Sequence, residues 1–265
     1  MKKIKLYYFS GTGNTKYISH LLKKHLNTEE DSCTVSSIEY YIKNKIKPNV
    51  QYDMIGIGYP VYSFNAAKIM MDFIKTMPEG NDKKVFIYQT AGADSGLNYA
   101  AGIDVKKGLT DRGYEVISEY IFEMPSNFMT TQNDKQLKEM FRKTNREVKL
   151  AAEWLLSGIP HHLKHGPLTA LVQKLGKLEQ FGDHRIGKKF HVTDDCNNCG
   201  ICLRNCPRDN IFKKKGKITF DKDCMLCFRC IYNCPENAIS TGKVVKWAIL
   251  KEGYQLKDKF PKIKE

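Results

Sequence analysis

The chain has 265 residues, of which 42% are hydrophobic, and this is enough for one full domain with its own core and a second, smaller one. Its formal net charge is +14, and the excess is uneven: residues 158–265 carry 21 Lys and Arg against 11 Asp and Glu, whereas residues 1–157 carry 22 against 18. The first apolar run is short and interrupted by Lys5, so no signal peptide is expected, and no apolar run is long enough to span a bilayer. We therefore expect a cytoplasmic protein, in which cysteines stay reduced.

An apolar, strand-like run at residues 4–9 is followed by a turn and then by a helical pattern over residues 14–26. The turn is rich in glycine and hydroxyl groups, which let N–H and O–H donors approach a phosphate, and the helix N-terminus adds its positive end. Its residues are Ser10, Gly11, Thr12, Gly13, Asn14 and Thr15. The turn has neither the G-K-S/T ending of a nucleoside-triphosphate loop nor G-x-G-x-x-G spacing. It therefore predicts a phosphate site for a ligand other than ATP or a dinucleotide.

Strand and helix patterns alternate through residues 1–157, as a doubly wound α/β sheet requires. Further strands are predicted at 33–38, 53–59, 84–89 and 114–123, and further helices at 65–77, 97–111 and 134–157. A doubly wound parallel sheet binds its ligand in the crevice at the carboxyl ends of the strands. The turn that follows the first strand lies at that edge.

The turn fills the form S/T-x-T-G-x-T with Ser10, Thr12, Gly13 and Thr15, and in this it resembles the phosphate loop of the flavodoxin family. The resemblance implies that residues 1–157 form a flavodoxin-like domain that binds FMN. It also implies a five-stranded parallel sheet in the order 2-1-3-4-5.

The same resemblance implies flavin contacts from the loops after the third and fourth strands. Tyr62 or Phe64 is expected to stack on the isoalloxazine ring, and small residues in the next loop are expected to let backbone amides reach its polar edge. The residues so assigned are Pro60, Val61, Tyr62, Ser63, Phe64, Asn65, Thr90, Ala91, Gly92 and Ala93. Many flavodoxins have an aromatic residue in the later loop, but none precedes Tyr99 here. Residues 124–128, after the fifth strand, are expected to close the site or to face the second domain.

Residues 158–189 are punctuated by Gly and Pro and predict a linker that contains one amphipathic helix. The apolar residues at helical spacing are Leu168, Leu171, Val172, Leu175 and Leu178. We expect this stripe to dock the C-terminal module onto the first domain, and a homodimer contact through the same stripe is the alternative. His161, His162 and His165 have no accompanying cysteine or carboxylate, so we interpret them as exposed linker residues.

Eight of the nine cysteines form two copies of one pattern, C-x2-C-x2-C-x3-C-P. The first copy comprises Cys196, Cys199, Cys202 and Cys206, and the second comprises Cys224, Cys227, Cys230 and Cys234. The two copies are 28 residues apart, and outside the cysteines the period also matches Asn205 with Asn233 and Ile211 with Ile239. A repeat of this kind indicates a duplicated half-domain. The odd cysteine, Cys33, is interpreted as a small buried hydrophobe.

C-x2-C pairs also build zinc sites, but zinc would leave the third cysteine and the C-P step of each copy without a role. The pattern resembles that of two-cluster bacterial ferredoxins, in which the fourth cysteine of each copy ligates the other cluster. The resemblance implies a small α+β domain over residues 190–242 with two [4Fe-4S] clusters. One cluster would take Cys196, Cys199, Cys202 and Cys234, and the other Cys224, Cys227, Cys230 and Cys206.

Over nearly its whole length the chain resembles the flavodoxin–ferredoxin fusion family of anaerobic microbes. This resemblance implies an electron-transfer protein that passes electrons between two [4Fe-4S] clusters and FMN and converts one-electron into two-electron flow. Two alternatives stay open: a flavin-dependent reductase of a small-molecule acceptor that its own clusters feed, and a redox sensor on a flavin-free flavodoxin scaffold. The sequence has no nucleophile–base constellation and no second nucleotide motif, which favours the carrier.

The basic C-terminal half suits an acidic redox partner protein. Part of its charge would offset two thiolate-ligated clusters, which together bring about −4. Lysine runs such as residues 213–215 are too short to indicate a specific nucleic acid or a membrane surface. The basic tail, residues 243–265, contains apolar residues that are expected to pack back onto a domain.

Overall fold

The computed structural model describes residues 1–128, 132–242 and 249. Among these residues no helix is both long and apolar enough to cross a membrane. The elements of the first part of the chain are β1 (Lys3–Tyr8), α1 (Asn14–Leu26), β2 (Ser32–Ser37), α2 (Ile38–Asn44), β3 (Met54–Tyr62), β4 (Asn65–Ala66), α3 (Lys68–Thr76), β5 (Lys83–Ala91), a 3₁₀ turn (Asn98–Ala101), α4 (Gly102–Thr110), β6 (Tyr114–Glu123) and α5 (Asp134–Ser157).

Five strands form a parallel sheet in the order β2-β1-β3-β5-β6. This arrangement confirms the predicted α/β fold and strand order. The sheet also has a sixth member, because β4 pairs antiparallel with the end of β3. Ser63 and Phe64 connect the two strands with positive φ angles of 47° and 57°, the conformation that a two-residue hairpin turn requires. The prediction of exactly five strands, with residues 60–65 as an open loop, is therefore wrong.

The sheet is buried on both faces, as is typical of parallel sheets. Leu6 of β1 faces the side covered by α1 and α5, whereas Tyr7 faces the side covered by α3 and α4. Gly56 and Gly58 on β3 leave room for the rings of Phe86 and Tyr88 on β5, which a methyl group at either glycine would overlap. This close packing fixes β1, β3 and β5, whose carboxyl ends carry the predicted ligand loops.

Three of the predicted elements have the observed bounds, namely α1, α5 and β6. The helix predicted at residues 65–77 starts three residues later, since Asn65 and Ala66 belong to the hairpin. The helix predicted at residues 97–111 is divided into the 3₁₀ turn and α4, and α2 was not predicted. Cys33 is 2% exposed, in agreement with its interpretation as a buried hydrophobe.

The elements of the second part are short apart from its first helix. They are α6 (Pro167–Gly187), β7 (His191–Val192), α7 (Ile201–Asn205), β8 (Ile211–Lys214), β9 (Lys217–Phe220), α8 (Arg229–Tyr232) and β10 (Ile239–Ser240). β8 pairs antiparallel with β9, and β10 with β7. The starts of α7 and α8, and those of β8 and β10, are each 28 residues apart, so the repeat in the sequence is also a repeat of secondary structure.

Helix α6 lies between the hairpin and the cysteine-rich segment, which we define as residues 190–242. It makes both contacts with its small and polar face: Gly176 lies against the Ser63 carbonyl, and Gly187 against the side chain of Cys224. Gln180 Nε2 also donates a hydrogen bond to the Tyr62 carbonyl at 2.9 Å. The helix therefore joins the two parts as predicted, but the prediction that its leucine stripe makes the contact is wrong. Short side chains allow a backbone approach that leucines would prevent.

The prediction that apolar residues of the tail, residues 243–265, pack back onto a domain lies outside the described residues except for Ile249. That residue packs against the core formed by α1, α5 and the cysteine-rich segment.

The two glycines of α6 provide a matched test of this packing. Gly176→Ala should destabilise the protein by about 1–3 kcal/mol, because the added methyl group would overlap the Ser63 carbonyl oxygen. Gly182→Ala, in the same helix with open space around it, should stabilise by up to about 1 kcal/mol through helix propensity. Thermal unfolding followed by circular dichroism measures both changes. Equal stabilisation by the two substitutions would contradict the contact.

Candidate functional site

The phosphate loop, defined as residues 10–15, connects the carboxyl end of β1 to α1. Gly13 has φ 112°, a conformation that favours glycine, and its N–H donates to Ser10 Oγ at 3.1 Å to close the turn. The first N–H groups of α1 have no acceptor within the helix, and its first turn contains no acidic residue. The positive end of α1 is therefore free of a competing carboxylate from its own first turn, which suits a bound anion.

Two further loops contact the phosphate loop through side chains. Thr15 Oγ1 and Thr90 Oγ1 are 2.8 Å apart and both residues are buried. Asn127 Nδ2 donates to Thr12 Oγ1 at 2.9 Å. Thr90 and Ala91 lie within β5, and Gly92 and Ala93 follow it. The carboxyl ends of β1, β5 and β6 thus meet around this loop, and Asn127 belongs to the segment 124–128 that was expected to close the site or to face the second domain.

The predicted residues of the hairpin do not all face the phosphate loop. Tyr62 does: its hydroxyl is buried without a hydrogen-bond partner and lies where a methyl group at Gly11 would be. Asn65 does not, because its Nδ2 donates to the carbonyls of Ser63 and Gln173 at 2.9 and 3.1 Å. The Cys227 carbonyl borders the same space, so the Tyr62 hydroxyl lies between the phosphate loop and the cysteine-rich segment. The glycine-rich turn and the N-terminus of α1, which has no acidic residue in its first turn, fit a phosphate-bearing ligand.

The cysteines line two cavities, and in each of them three cysteines of one copy meet the fourth of the other. The first cysteine cavity is lined by Cys196, Cys199, Cys202 and Cys234. The second cysteine cavity is lined by Cys206, Cys224, Cys227 and Cys230. The structure therefore brings together the same two groups of four residues that the sequence analysis grouped.

Backbone amides point at the fourth cysteine of each copy. The N–H of Asn210 donates to Cys206 Sγ and that of Ala238 donates to Cys234 Sγ, each at 3.3 Å. Burial, with a smaller contribution from the neighbouring Cys227 thiol, raises the pKa of Cys224 to about 12. The Cys224 thiol is therefore protonated at neutral pH, so metal binding would have to release its proton.

The described residues contain no group of three or more His, Cys, Asp or Glu side chains that could hold a single metal ion. A zinc ion would draw its four sulfur ligands to within about 2.3 Å of one centre. The described cysteines are not gathered in that way around either cavity.

Arg229, between Cys227 and Cys230 in the sequence, joins the second cysteine cavity to the phosphate loop. Its guanidinium donates to the carbonyls of Ser10 at 2.6 Å and Gly11 at 2.9 Å. It also makes two hydrogen bonds of 2.7 Å to the carboxylate of Glu39. Although burial opposes the charge, these bonds to Glu39 raise the pKa of Arg229, and the guanidinium stays charged.

Sheet order explains why Glu39 can meet Arg229 here. β1 and β2 are neighbours with Tyr8 opposite Ser37, so the first turn of α2 lies beside the start of the phosphate loop. The Ser37 side chain caps α2 and accepts from the N–H of Glu39 at 3.3 Å. The sequence analysis assigned no role to Arg229 or Glu39. The one feature of the sequence that could have indicated the pair is the position of Arg229 between Cys227 and Cys230.

Residues 124–128 also contact the cysteine-rich segment. Phe128 stacks on Phe228 with ring centroids 5.6 Å apart and planes within 7°. The Tyr232 hydroxyl donates to the carbonyl of Asn127 at 2.7 Å, and Asn127 in turn reaches Thr12. Residues 124–128 therefore contact the phosphate loop and also face the cysteine-rich segment.

The linker histidines are fastened to β6. His165 Nε2 lies 3.0 Å from the buried carboxylate of Glu119, which Lys106 Nζ also contacts at 2.8 Å. Burial opposes the charge of Glu119, but these two partners lower its pKa below the ordinary value. His161 exchanges hydrogen bonds with Ser118 and Glu119. The interpretation as exposed linker residues is wrong for His161, which is half-buried and bridges β6 at Ser118. His162 and His165 are exposed as predicted, but the expectation that no carboxylate accompanies them is wrong because both lie close to Glu119.

A family model described as a flavodoxin domain matches residues 5–153. The chain belongs to this flavodoxin domain family. Relatives with the flavodoxin fold bind FMN and serve electron transfer, so the family gives the first part of the chain a flavin-binding redox fold. The matched residues end before α6, and the cysteine-rich segment lies outside the match.

Several solved structures resemble the first part of the chain. Flavodoxin 2 from Bacillus cereus is 18% identical, with a TM-score of 0.43, and the match covers 58% of this chain and 98% of that one. Megasphaera elsdenii flavodoxin is 21% identical, with a TM-score of 0.41, and coverage is 57% and 98%. An NADH:FMN oxidoreductase is 14% identical, with a TM-score of 0.42 and coverage of 64% and 94%. No curated protein matches the chain.

The Arg229–Glu39 pair should be important for stability. The side chains are 16% and 20% exposed, so Glu39→Ala would leave a largely buried guanidinium without its carboxylate and should cost about 3 kcal/mol. The exposed pair of Lys149 and Glu153 supplies the control, and Glu153→Ala should cost less than about 1 kcal/mol. Urea unfolding followed by circular dichroism gives both values. Similar, small losses from the two substitutions would show that the buried pair contributes little.

Proposed function

We propose that this protein is an electron-transfer protein in which two [4Fe-4S] clusters exchange electrons with FMN. The cysteine-rich segment would hold the clusters, and the phosphate loop would bind the FMN. The observation that carries this proposal is the contact between the second cysteine cavity and the phosphate loop through Arg229. A flavin holds one or two electrons and a cubane passes one, so the pair converts one-electron into two-electron flow.

The cysteines that would hold the clusters are those of the two cavities. Each cavity offers four thiols, and each contains one sulfur that already accepts a backbone N–H. Such N–H donors stabilise the negative charge of ligated sulfur. The excess positive charge of residues 158–265 would offset the net charge of the two clusters.

The residues that would hold the FMN phosphate are Ser10, Gly11, Thr12, Gly13 and Thr15. Arg229 supports them from the other side of the loop. In a trans peptide the C=O and N–H groups point in opposite directions, so the carbonyls of Ser10 and Gly11 that accept from Arg229 turn the next two N–H groups away from the guanidinium. Arg229 thus orients loop donors without contacting the ligand itself.

We favour a carrier over a reductase with its own nicotinamide site. The sequence has one phosphate loop and no G-x-G-x-x-G motif that would bind a dinucleotide. Its basic C-terminal half suits transient contact with an acidic redox protein, since electrostatic steering raises association rates.

Iron analysis of double variants tests the grouping of the cysteines. Anaerobically purified protein should hold about eight iron and eight sulfide per chain, and Cys33→Ala should hold the same. Cys206→Ala with Cys224→Ala removes two ligands from one cluster and should leave about four iron. Cys206→Ala with Cys196→Ala removes one ligand from each cluster and should lose both. If Cys206→Ala with Cys196→Ala kept about four iron and Cys206→Ala with Cys224→Ala lost both clusters, each copy would ligate its own cluster.

Flavin titration tests the phosphate loop. Thr12→Ala should weaken FMN binding by about 1–3 kcal/mol, because it removes one polar partner of the phosphate and frees Asn127. Riboflavin, which lacks the phosphate, should bind far more weakly than FMN to the unmodified protein. Thr34→Ala, an exposed threonine on β2, is the matched control and should leave affinity unchanged. Equal affinity for FMN and riboflavin would contradict the assignment, and failure to bind either would favour the flavin-free scaffold.

Stopped-flow absorbance under argon tests the route of the electrons. A reduced low-potential ferredoxin should reduce the flavin rapidly, whereas NADPH alone should reduce it slowly or not at all. Replacing Cys199 and Cys227 with alanine should abolish the rapid phase, and flavin content measured beforehand shows that the FMN site survives. Fast reduction by NADPH that is unchanged in this double variant would make the protein a flavin reductase instead.

A further inference from the structure

Helix α6 presents a continuous apolar stripe to solvent. Its five large side chains are each more than half exposed: Leu168 62%, Leu171 54%, Leu175 58%, Leu178 72% and Phe181 68%. Single exposed apolar residues are common on proteins, but a contiguous row of them marks an interaction surface. Neither the phosphate loop nor the cysteine cavities use this row.

The spacing of the leucines is that of a coiled coil. Leu168 and Leu175 occupy position a of two successive heptads, and Leu171 and Leu178 occupy position d. The residues that pack against the body of the protein, among them Gln173, Gly176 and Gln180, occupy positions b and f. The body therefore covers one side of the helix and leaves the whole a/d seam open on the other.

Charge placement favours a parallel second copy as the occupant. Lys174 occupies position g and Glu179 position e of the next heptad, and these are the positions that lie together across a parallel two-stranded coiled coil. Both side chains are exposed, and neither makes a salt bridge to another described residue. Two-fold symmetry would form the Lys174–Glu179 contact twice. An antiparallel pair centred on the same leucines would instead bring the two Lys174 side chains together.

We propose that α6 mediates a homodimer, in which the seams of two copies form a short parallel coiled coil. Two heptads are too few to hold free helices together, since an isolated short helix is marginal in water. Here each helix is already folded and fixed to its own body through Gly176 and Gly187, so association orders little additional chain. The dimer does not depend on the presence of FMN or of the clusters.

Sedimentation velocity of the full chain, from about 1 to about 100 µM, tests the proposal. The unmodified protein should sediment as a dimer at the upper concentrations, and Leu175→Glu should weaken association at least tenfold. The matched control is Leu150→Glu on α5, where the leucine is 42% exposed, and it should leave the dimer intact. Circular dichroism verifies that both variants are folded. A monomer at all concentrations, or a dimer that Leu175→Glu does not affect, would overturn the proposal.

Charge reversal tests the parallel arrangement. Lys174→Glu and Glu179→Lys should each weaken the dimer, and the double variant should recover it because the pair is restored with opposite sense. Failure of the double variant to recover would overturn the parallel pairing. Vesicles of phosphatidylserine and phosphatidylcholine provide the remaining arm: a chain that is monomeric in solution and binds these vesicles through Leu175 would make the stripe a membrane-facing surface instead.

Discussion

The ion pair between Arg229 and Glu39 is the interaction on which the contact between the cysteine-rich segment and the phosphate loop depends. The two residues are 190 positions apart, and the guanidinium also satisfies two carbonyls of the phosphate loop. Docking the cysteine-rich segment buries most of the surface of these polar groups, which would be unfavourable without their pairing. One side chain therefore provides both the contact and the compensation for its desolvation.

Three glycines allow the other close contacts between the phosphate loop, the hairpin, α6 and the cysteine-rich segment. At Gly11, Gly176 and Gly187 a methyl group would overlap, respectively, the Tyr62 hydroxyl, the Ser63 carbonyl and the Cys224 side chain. Each glycine thus lets a backbone approach a residue that belongs to a candidate ligand site. Because no side chains intervene, the phosphate loop, the hairpin and the second cysteine cavity lie in direct contact. In the proposed function this contact would keep the path of an electron between the two sites short.

Helix α6 has a buried face of small and polar residues and an exposed face of leucines. Its small and polar residues are buried against the hairpin and the second cysteine cavity, and this leaves the leucines on the outside. In most surface helices the apolar face is the one that packs on the protein. The inverted arrangement connects the two parts of the chain through backbone proximity and leaves the apolar stripe exposed, where the proposed dimer would form.

The sequence alone indicated the parallel α/β sheet, the phosphate turn and the duplicated cysteine pattern, because each depends on local periodicity or on spacing within a short segment. The strand order and the crossed grouping of the cysteines came instead from the resemblance to known families. It did not determine the hairpin at Ser63 and Phe64, since neither residue is the glycine or asparagine that usually marks such a turn. Nor could it pair Arg229 with Glu39, which meet only because β1 and β2 are neighbours and the cysteine-rich segment folds back across them. The leucine period in α6 predicted a helix with an apolar stripe, but a period fixes only which residues share a face. Which face is covered was decided by the tertiary structure, where the absence of side chains at Gly176 and Gly187 allowed the closer approach.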